Sequence, residues 1–215
     1  MDGLLIDSEP IWRVAEVAVF RSFGVPLTPE LCATTMGMRI DEVILHWQQR
    51  YPDVFLDPAV VQERVLAAVM DGVTRTGEAM RGAEEALQFC RDRGYRLAVA
   101  SSSPLQLIEH VLEHLGIRHY FSVVRSAESE PRGKPDPAVF LTTAKALGVE
   151  PSSCLVFEDS FHGAQAARRA GMKCILVPDS SLTAEERQGA QATMVLESLQ
   201  EFPSVASQVL GVRHN

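Results

Sequence analysis

The chain has few cysteines, and their spacing suggests neither a metal site nor a disulfide framework. The cysteines are Cys32, Cys90, Cys154 and Cys174, with no CxxC pair and no paired spacing with histidine. A zinc knuckle would need such pairs, and a disulfide-stapled domain would need a denser pattern. We therefore expect reduced thiols, as in a cytoplasmic protein.

Long apolar runs and an excess of positive charge are also missing. No apolar stretch approaches the roughly 20 residues that cross a bilayer, and the first residues are acidic rather than a basic leader. The formal net charge of −8 argues against nucleic-acid binding, which needs a dense cationic surface. The sequence thus predicts a soluble, cytoplasmic protein with no membrane or nucleic-acid partner. Lysine is scarce too, with three residues in the chain, so a lysine within a motif is informative.

Two regions of different pattern follow one another along the chain. Up to about residue 80, apolar residues recur three and four apart, as in helices. After Gly82, helical stretches alternate with short β-branched runs, as in βαβ units. We predict an α/β fold with a doubly wound parallel sheet and a helical insert. The predicted insert helices are Ile11–Phe23, Arg39–Tyr51 and Pro58–Thr76, and two of the predicted strands are Tyr95–Ala100 and Cys154–Phe157.

Polar residues directly after such strands are candidates for chemistry, because ligands of doubly wound sheets bind beyond the carboxyl ends of the strands. Ser101, Ser102 and Ser103 follow the first of these two strands and precede a helix, whose amide groups and dipole favour an anion such as phosphate. The alternative is that a serine here caps the helix and binds no ligand.

A lysine, Lys134, lies between these two strands in the sequence, within the segment Gly133–Pro137. Asp136 and Pro137 are typical of a helix start and need no catalytic role. Capping does not explain Lys134, placed between glycine and proline. Its ammonium group could neutralise a phosphoryl group or a carboxylate.

Two adjacent carboxylates, Glu158 and Asp159, follow the second strand. They would repel each other at a buried strand end, and a hard cation with oxygen ligands would relieve that repulsion. Mg²⁺ is the natural candidate, since it binds one or two carboxylates together with substrate phosphate. The alternative is that these acids only stabilise the start of the next helix.

The order of these elements resembles the four motifs of the haloacid dehalogenase superfamily over essentially the whole chain. Asp2-Gly3 matches the end of the first motif, and Ser101, Lys134 and Glu158-Asp159 match the other three. Residues 1–10, MDGLLIDSEP, and the helical insert that follows resemble the beta-phosphoglucomutase-like branch, in particular its sugar phosphatases of the 2-deoxyglucose-6-phosphatase and hexitol phosphatase type. The resemblance implies a core domain of residues 1–10 and 81–215 and a helical cap domain of residues 11–80.

The same resemblance implies roles for individual residues. Asp2 would be the general acid and base, Ser101 would bind a phosphoryl oxygen, and Lys134 would offset charge. Mg²⁺ would be bound by Asp159, directly or with Glu158, by the backbone carbonyl of Asp2 and by the nucleophilic Asp of the first motif. Substrate contacts would come from Ser8, Gly37, Arg39, Ser102 and Ser103. The nucleophilic Asp of the first motif would lie just before Met1, on a strand near the middle of the sheet, so that the chain as written is expected to lack it.

The expected activity is hydrolysis of a small phosphorylated sugar or sugar alcohol through an aspartyl-phosphate. Mutases of this branch have a histidine early in the cap and a cap lysine; here Trp12 occupies the first position and residues 11–80 contain no lysine. Both departures favour a phosphatase over a sugar phosphomutase. A noncatalytic, truncated binding protein is the other alternative. We expect a small-molecule sugar phosphate as the binding partner and a monomer or weak oligomer.

Overall fold

The computed structural model describes residues 1–180 and 182–210, and its elements alternate between helix and strand after a helical amino-terminal region. The helices are α1 Glu9–Ser22, α2 Pro29–Cys32, α3 Ile40–Arg50, α4 Pro58–Thr76, α5 Ala83–Asp92, α6 Leu105–His114, α7 Ala138–Leu147, α8 Phe161–Arg169, α9 Ala184–Gly189 and α10 Phe202–Val209. The strands are β1 Leu97–Ser101, β2 Phe121–Ser126, β3 Leu155–Glu158, β4 Lys173–Leu176 and β5 Met194–Val195. Short 3₁₀ helices cover Ala33–Thr35, Arg118–Tyr120, Ala127–Ser129, Pro151–Ser153 and Leu199–Glu201.

Helices α1 to α4 form around one apolar cluster that includes Trp47 and Val65. Helix α4 begins where Asp57 accepts hydrogen bonds from the first free amide groups and Pro58 occupies the first helical position. At Gly72, α4 lies close against α1, since a Cβ there would come within 2.4 Å of Ile11. The three helices predicted for this region are confirmed, with ends shifted by at most two residues; the short α2 was not predicted.

The strands pair in parallel, which confirms the predicted α/β class. They form two sheets, with the order β2-β1 in one and β3-β4-β5 in the other, rather than one continuous sheet. The carboxyl ends of β1 and β3 carry Ser101 and Glu158, so the predicted polar residues follow the strands as expected.

A cavity of about 460 Å³ separates the two sheets, and we call it the inter-sheet cavity. It is lined by Leu97–Ala100 of β1 and by Leu155–Phe157 of β3, together with Leu4 and Leu5. Within the described residues each of these two strands pairs along one edge alone, β1 with β2 and β3 with β4. The cavity therefore lies between two unpaired strand edges with mainly apolar walls.

The chain enters and leaves the helical region through two segments that pair with each other. The amide of Asp7 donates to the carbonyl of Glu78 at 3.0 Å, and that of Met80 donates to the carbonyl of Leu5 at 3.0 Å. This places the crossing points near residues 7 and 78, close to the predicted boundaries at 10 and 81. The division into cap and core stays a prediction, and position 181 and residues 211–215 of the predicted core lie outside the described residues. None of the helices in the described ranges combines the length and the apolar character that a membrane span requires.

Candidate functional site

A polar cavity of about 80 Å³ lies at the carboxyl ends of β1 and β3, and we call it the polar cavity. Its volume corresponds to roughly five to eight water molecules, which limits a ligand to a small one. It brings together most of the residues that the sequence singled out. Those that line it are Asp2, Gly37, Ser101, Ser102, Ser103, Lys134, Glu158 and Asp159. Ser8 and Arg39 are outside this lining.

Asp2 is held in place by hydrogen bonds to both carboxylate oxygens. Ser8 Oγ donates to Oδ1 at 2.6 Å and Trp12 Nε1 donates to the same oxygen at 3.1 Å, while Ser103 Oγ donates to Oδ2 at 2.7 Å. The fully buried Ser8 thus positions Asp2 rather than facing the polar cavity. Three donors from different parts of the chain thus fix the position of this carboxylate in the wall of the polar cavity.

Asp159 lies against the backbone that follows Asp2. Gly3 has a φ of +66°, and a Cβ there would come within 2.4 Å of Asp159 Oδ2, so a side chain at position 3 would collide with the carboxylate. Burial, and then the charge of Glu158, raises the pKa of Asp159 to about 7. None of the ion pairs found in the described part of the chain includes Asp159.

Glu158 is engaged by Lys134. The two side chains form a buried ion pair between Nζ and Oε1, and Ser160 Oγ donates to Glu158 Oε2 at 3.2 Å. Lys134 Nζ also donates to the carbonyl of Ala100 at 3.4 Å. Gly163 makes room for this arrangement, since a Cβ there would overlap the Glu158 carboxyl group. The charge of Glu158 is therefore balanced by a protein side chain.

The three serines after β1 differ in their surroundings. Ser101 Oγ accepts from the amide of Ser103 at 3.1 Å, and Ser103 donates to Asp2. Ser102 Oγ is buried, lines the polar cavity and has no hydrogen-bond partner. A buried hydroxyl without a partner costs free energy unless a ligand satisfies it. Both Ser102 and Ser101, whose oxygen accepts a hydrogen bond but whose proton is unused, thus have a donor available for a ligand.

Of the two residues predicted to contact the substrate from the helical insert, Gly37 lines the polar cavity and Arg39 does not. Gly37 has a φ of +77° and lies in close contact with Ser160. The Arg39 guanidinium instead donates to the carbonyls of Ala127 and Glu130, at 3.0 and 2.7 Å, and pairs with Asp41. Arg39 therefore ties the helical region to the loop before Lys134 and makes no contact within the polar cavity.

Two glutamates that the sequence did not single out line the polar cavity, the half-buried Glu9 and the buried Glu16. Glu9 and Glu16 lie on α1 on either side of Trp12, with spacings of three and four residues. That spacing places all three on one helix face. Burial, and then the charges of Asp2 and Asp159, raises the pKa of Glu9 to about 8; burial raises that of Glu16 to about 7. Their helical spacing was visible in the sequence, but which face of α1 would meet the site was not.

Replacing Glu16 with Gln should stabilise the protein above pH 7 and have little effect near pH 4.5. Because the pKa of Glu16 rises from 4.5 to about 7 on folding, the folded state holds a proton that the unfolded state releases in this window. Wild-type stability therefore falls by about 3 kcal/mol as pH rises through this window, a loss that Gln avoids. Urea unfolding at pH 5 and pH 8 measures this, with the exposed Glu63→Gln as control. An equal difference between Glu16→Gln and wild type at both pH values would contradict the prediction.

One carboxylate of the site, that of Asp159, is suited to bind a hard cation. Asp159 is half-buried and outside any described ion pair, and the backbone of Gly3, next to Asp2, lies beside it, which suits an oxygen-liganded ion such as Mg²⁺. In residues 1–180 and 182–210, however, no cluster of three or more His, Cys, Asp or Glu side chains is arranged to hold a metal. Glu158 is neutralised by Lys134, so Asp159 is the better ligand of the two.

Comparison with known proteins identifies the family of this chain and relatives that are named phosphatases. The chain matches the family model described as haloacid dehalogenase-like hydrolase over residues 1–177. It is 39% identical to hexitol phosphatase B of Escherichia coli O157:H7, over 98% of this chain and 94% of that protein. It is 33% identical to a fructose-1-phosphate phosphatase of Escherichia coli strain K12, over 81% of this chain and 92% of that protein. The solved structure of a beta-phosphoglucomutase from Clostridium difficile shares the fold, with a TM-score of 0.83 and 21% identity over 97% of this chain and 93% of that one.

Proposed function

Because this chain belongs to the haloacid dehalogenase-like hydrolase family and its named relatives are phosphatases, it is a phosphoric monoester hydrolase, and we propose that it is a Mg²⁺-dependent phosphatase of a small phosphorylated sugar or sugar alcohol. The observation that carries the proposal is the convergence of Asp2, Ser102, Lys134 and Asp159 on one small cavity. The names of the hexitol and fructose-1-phosphate phosphatases support the sugar phosphate as substrate class.

Asp2 is the proposed general acid and base. Its carboxyl group would protonate the leaving sugar oxygen and then take a proton from the attacking water, a role that contributes about 10²- to 10⁴-fold to the rate. The donors Ser8, Trp12 and Ser103 keep it oriented for both steps. Because general acid catalysis depends on geometry first, this anchoring supports the assignment.

The phosphoryl oxygens are proposed to bind between the serines and Lys134. The unpartnered Ser102 hydroxyl and the buried ammonium group of Lys134 line the same cavity. Ser101 accepts a hydrogen bond from the amide of Ser103 through its oxygen, and its hydroxyl proton is proposed to bind a phosphoryl oxygen. Fixed donors aimed at developing charge stabilise the transition state without reorganisation.

A bound Mg²⁺ would neutralise negative charge on the transferring phosphoryl group. Asp159 and the backbone carbonyl of Asp2 are its proposed ligands. Glu158 would contribute indirectly, by holding Lys134 in place.

The nucleophile is proposed to be an aspartate at the end of a strand that fills the inter-sheet cavity. That cavity opens between the two strands whose ends carry Ser101 and Glu158, so a strand there would point its last residue at the polar cavity. Its carboxylate would attack phosphorus and displace the sugar oxygen, giving an aspartyl-phosphate; water would then attack the same phosphorus and release phosphate and the free carboxylate.

Residues 11–80 are proposed to act as the cap, which covers the polar cavity through α1 and Gly37. A mutase is the less favoured activity, because Trp12 contacts Asp2 where the mutases have histidine. Lys134, moreover, is the one basic side chain among the described residues that line the polar cavity, so no second phosphate site is evident there.

A phosphate-release screen tests the proposed activity. The protein would carry an added strand ending in Asp before Met1, and hexitol, ketose and nucleoside monophosphates would be compared in Mg²⁺ with a sugar bisphosphate. We expect sugar and hexitol monophosphates to be hydrolysed fastest. Absence of phosphate release from every ester by the folded protein would contradict the proposal and favour a noncatalytic binding role.

A further inference from the structure

One face of α1 carries carboxyl groups into the polar cavity. Glu9 lies at the start of the helix, Trp12 is fixed above Asp2 through its indole nitrogen, and Glu16 follows one turn later. With a rise of 1.5 Å per residue, the two glutamates lie about 10 Å apart along the helix. We call Glu9, Trp12 and Glu16 the α1 stripe.

The α1 stripe offers hydrogen bonding but no positive charge. Neither glutamate belongs to an ion pair recorded in the described ranges, and Glu16 is 9% exposed. The Cys32 thiol contacts the Glu16 carboxyl group. Lys134, the one basic side chain among the described residues that line the cavity, is paired with Glu158.

Such a wall suits hydroxyl groups and disfavours a second phosphate. A carboxyl group accepts hydrogen bonds from hydroxyls, and in its neutral form it also donates one. A phosphate carries about −1.5 to −2 charges and is bound in proteins by arginine and lysine. Placed against Glu9 or Glu16, it would meet acidic groups, and Lys134 is the one basic side chain among the described residues that line the cavity. The apolar Met38 and Val43 also line the cavity, and their side chains offer no donor to an anion.

We propose that Glu9 and Glu16 select the leaving group, binding the hydroxyls of a polyol and rejecting substrates with a second phosphate. This selection rests on the proposed phosphatase activity, because it assumes that the phosphate to be removed occupies the serine and Lys134 end of the cavity. Glu9 binds the hydroxyls near the scissile bond and Glu16 those further along the chain.

Equilibrium binding to the full chain in Mg²⁺ distinguishes the selection by Glu9 and Glu16 from the proposed phosphatase function on which it rests. Calorimetry would compare inorganic phosphate, glucitol 6-phosphate and fructose 1,6-bisphosphate for wild type, Glu16→Gln, Glu16→Ala and Glu9→Gln. We expect Glu16→Ala to weaken glucitol 6-phosphate binding about tenfold, the loss of one hydrogen bond to a charged group, and to leave inorganic phosphate unchanged. In Glu9→Gln and Glu16→Gln, the ratio of the affinity for glucitol 6-phosphate to that for fructose 1,6-bisphosphate should be smaller than in wild type. Glu63→Gln, an exposed change on α4, should match wild type.

Each alternative result has a distinct meaning. If the folded wild type fails to bind inorganic phosphate, the proposed function falls and the selection with it. If phosphate binds but the Glu9 and Glu16 variants retain wild-type affinity for glucitol 6-phosphate and the wild-type preference over the bisphosphate, the selection alone is overturned. Parallel urea unfolding of each variant shows that a loss of affinity does not come from a loss of fold.

Discussion

Replacing Lys134 with Met should lower the free energy of unfolding by about 3–5 kcal/mol. Lys134 and Glu158 are 8% and 4% exposed, and their ion pair is the one contact that balances the Glu158 carboxylate within the described residues. Without the ammonium group, the buried Glu158 carboxylate would be left without a countercharge. Breaking a buried pair by removing one partner is far more destabilising than replacing both partners.

A double-mutant cycle distinguishes this cause from lost packing. The double variant Lys134→Met/Glu158→Gln should recover most of the stability that Lys134→Met loses, as measured by urea unfolding at pH 7. Lys145→Met, an exposed change on α7, is the matched control and should stay within about 0.5 kcal/mol of wild type. If Lys134→Met had the same free energy of unfolding as the control, the prediction that this buried ion pair stabilises the fold would be contradicted. Binding of inorganic phosphate should be lost in Lys134→Met and in the double variant alike, because both lack the ammonium group.

An apolar strand added before Met1 should stabilise the protein by on the order of 3–5 kcal/mol, since it would fill the inter-sheet cavity. Such a strand of about five residues, the length of β1, could pair with both β1 and β3. Each added ladder hydrogen bond contributes about 0.5–1.5 kcal/mol, and burial of apolar side chains offsets much of the ordering entropy. Urea unfolding of the extended and original chains measures the gain.

The matched control has the same added residues with proline in the middle of the strand. Proline removes a ladder donor, so this variant should gain much less stability than the regular strand. Amide hydrogen exchange gives the location, since amides of Leu97–Ala100 and Leu155–Phe157 should become protected only in the regular extension. Equal stability of the original chain and both extensions would show that the cavity does not accept a strand.

The sequence anticipated the parts of the site that local rules determine. Ser101, Lys134 and Glu158 stand next to runs whose periodicity identifies strands or helix starts, and the carboxyl ends of parallel strands meet at one edge. Their convergence on one cavity therefore followed from the α/β fold. The helix Pro58–Thr76 was likewise predicted, because Asp57 and Pro58 mark its start.

Contacts between distant segments could not be predicted in this way. Glu158 looked like a metal ligand because its neighbour in sequence is an acid, whereas its partner in the fold is Lys134, 24 residues away. Arg39 was predicted to contact the substrate from its position in the helical insert, but its side chain donates to the backbone carbonyls of Ala127 and Glu130. Glu9 and Glu16 were overlooked, because the pattern of α1 does not say which element covers its polar face.

The protein is proposed to hydrolyse a phosphate monoester bound in the polar cavity, with Asp2 as general acid and base. The most direct measurement of this activity is the initial rate of phosphate release from glucitol 6-phosphate by the chain extended with a strand ending in Asp, in Mg²⁺ and in EDTA, with and without Asp2→Asn. We predict release in Mg²⁺, none in EDTA, and at least about a 100-fold lower rate for Asp2→Asn. An undiminished rate in Asp2→Asn or in EDTA would contradict the account.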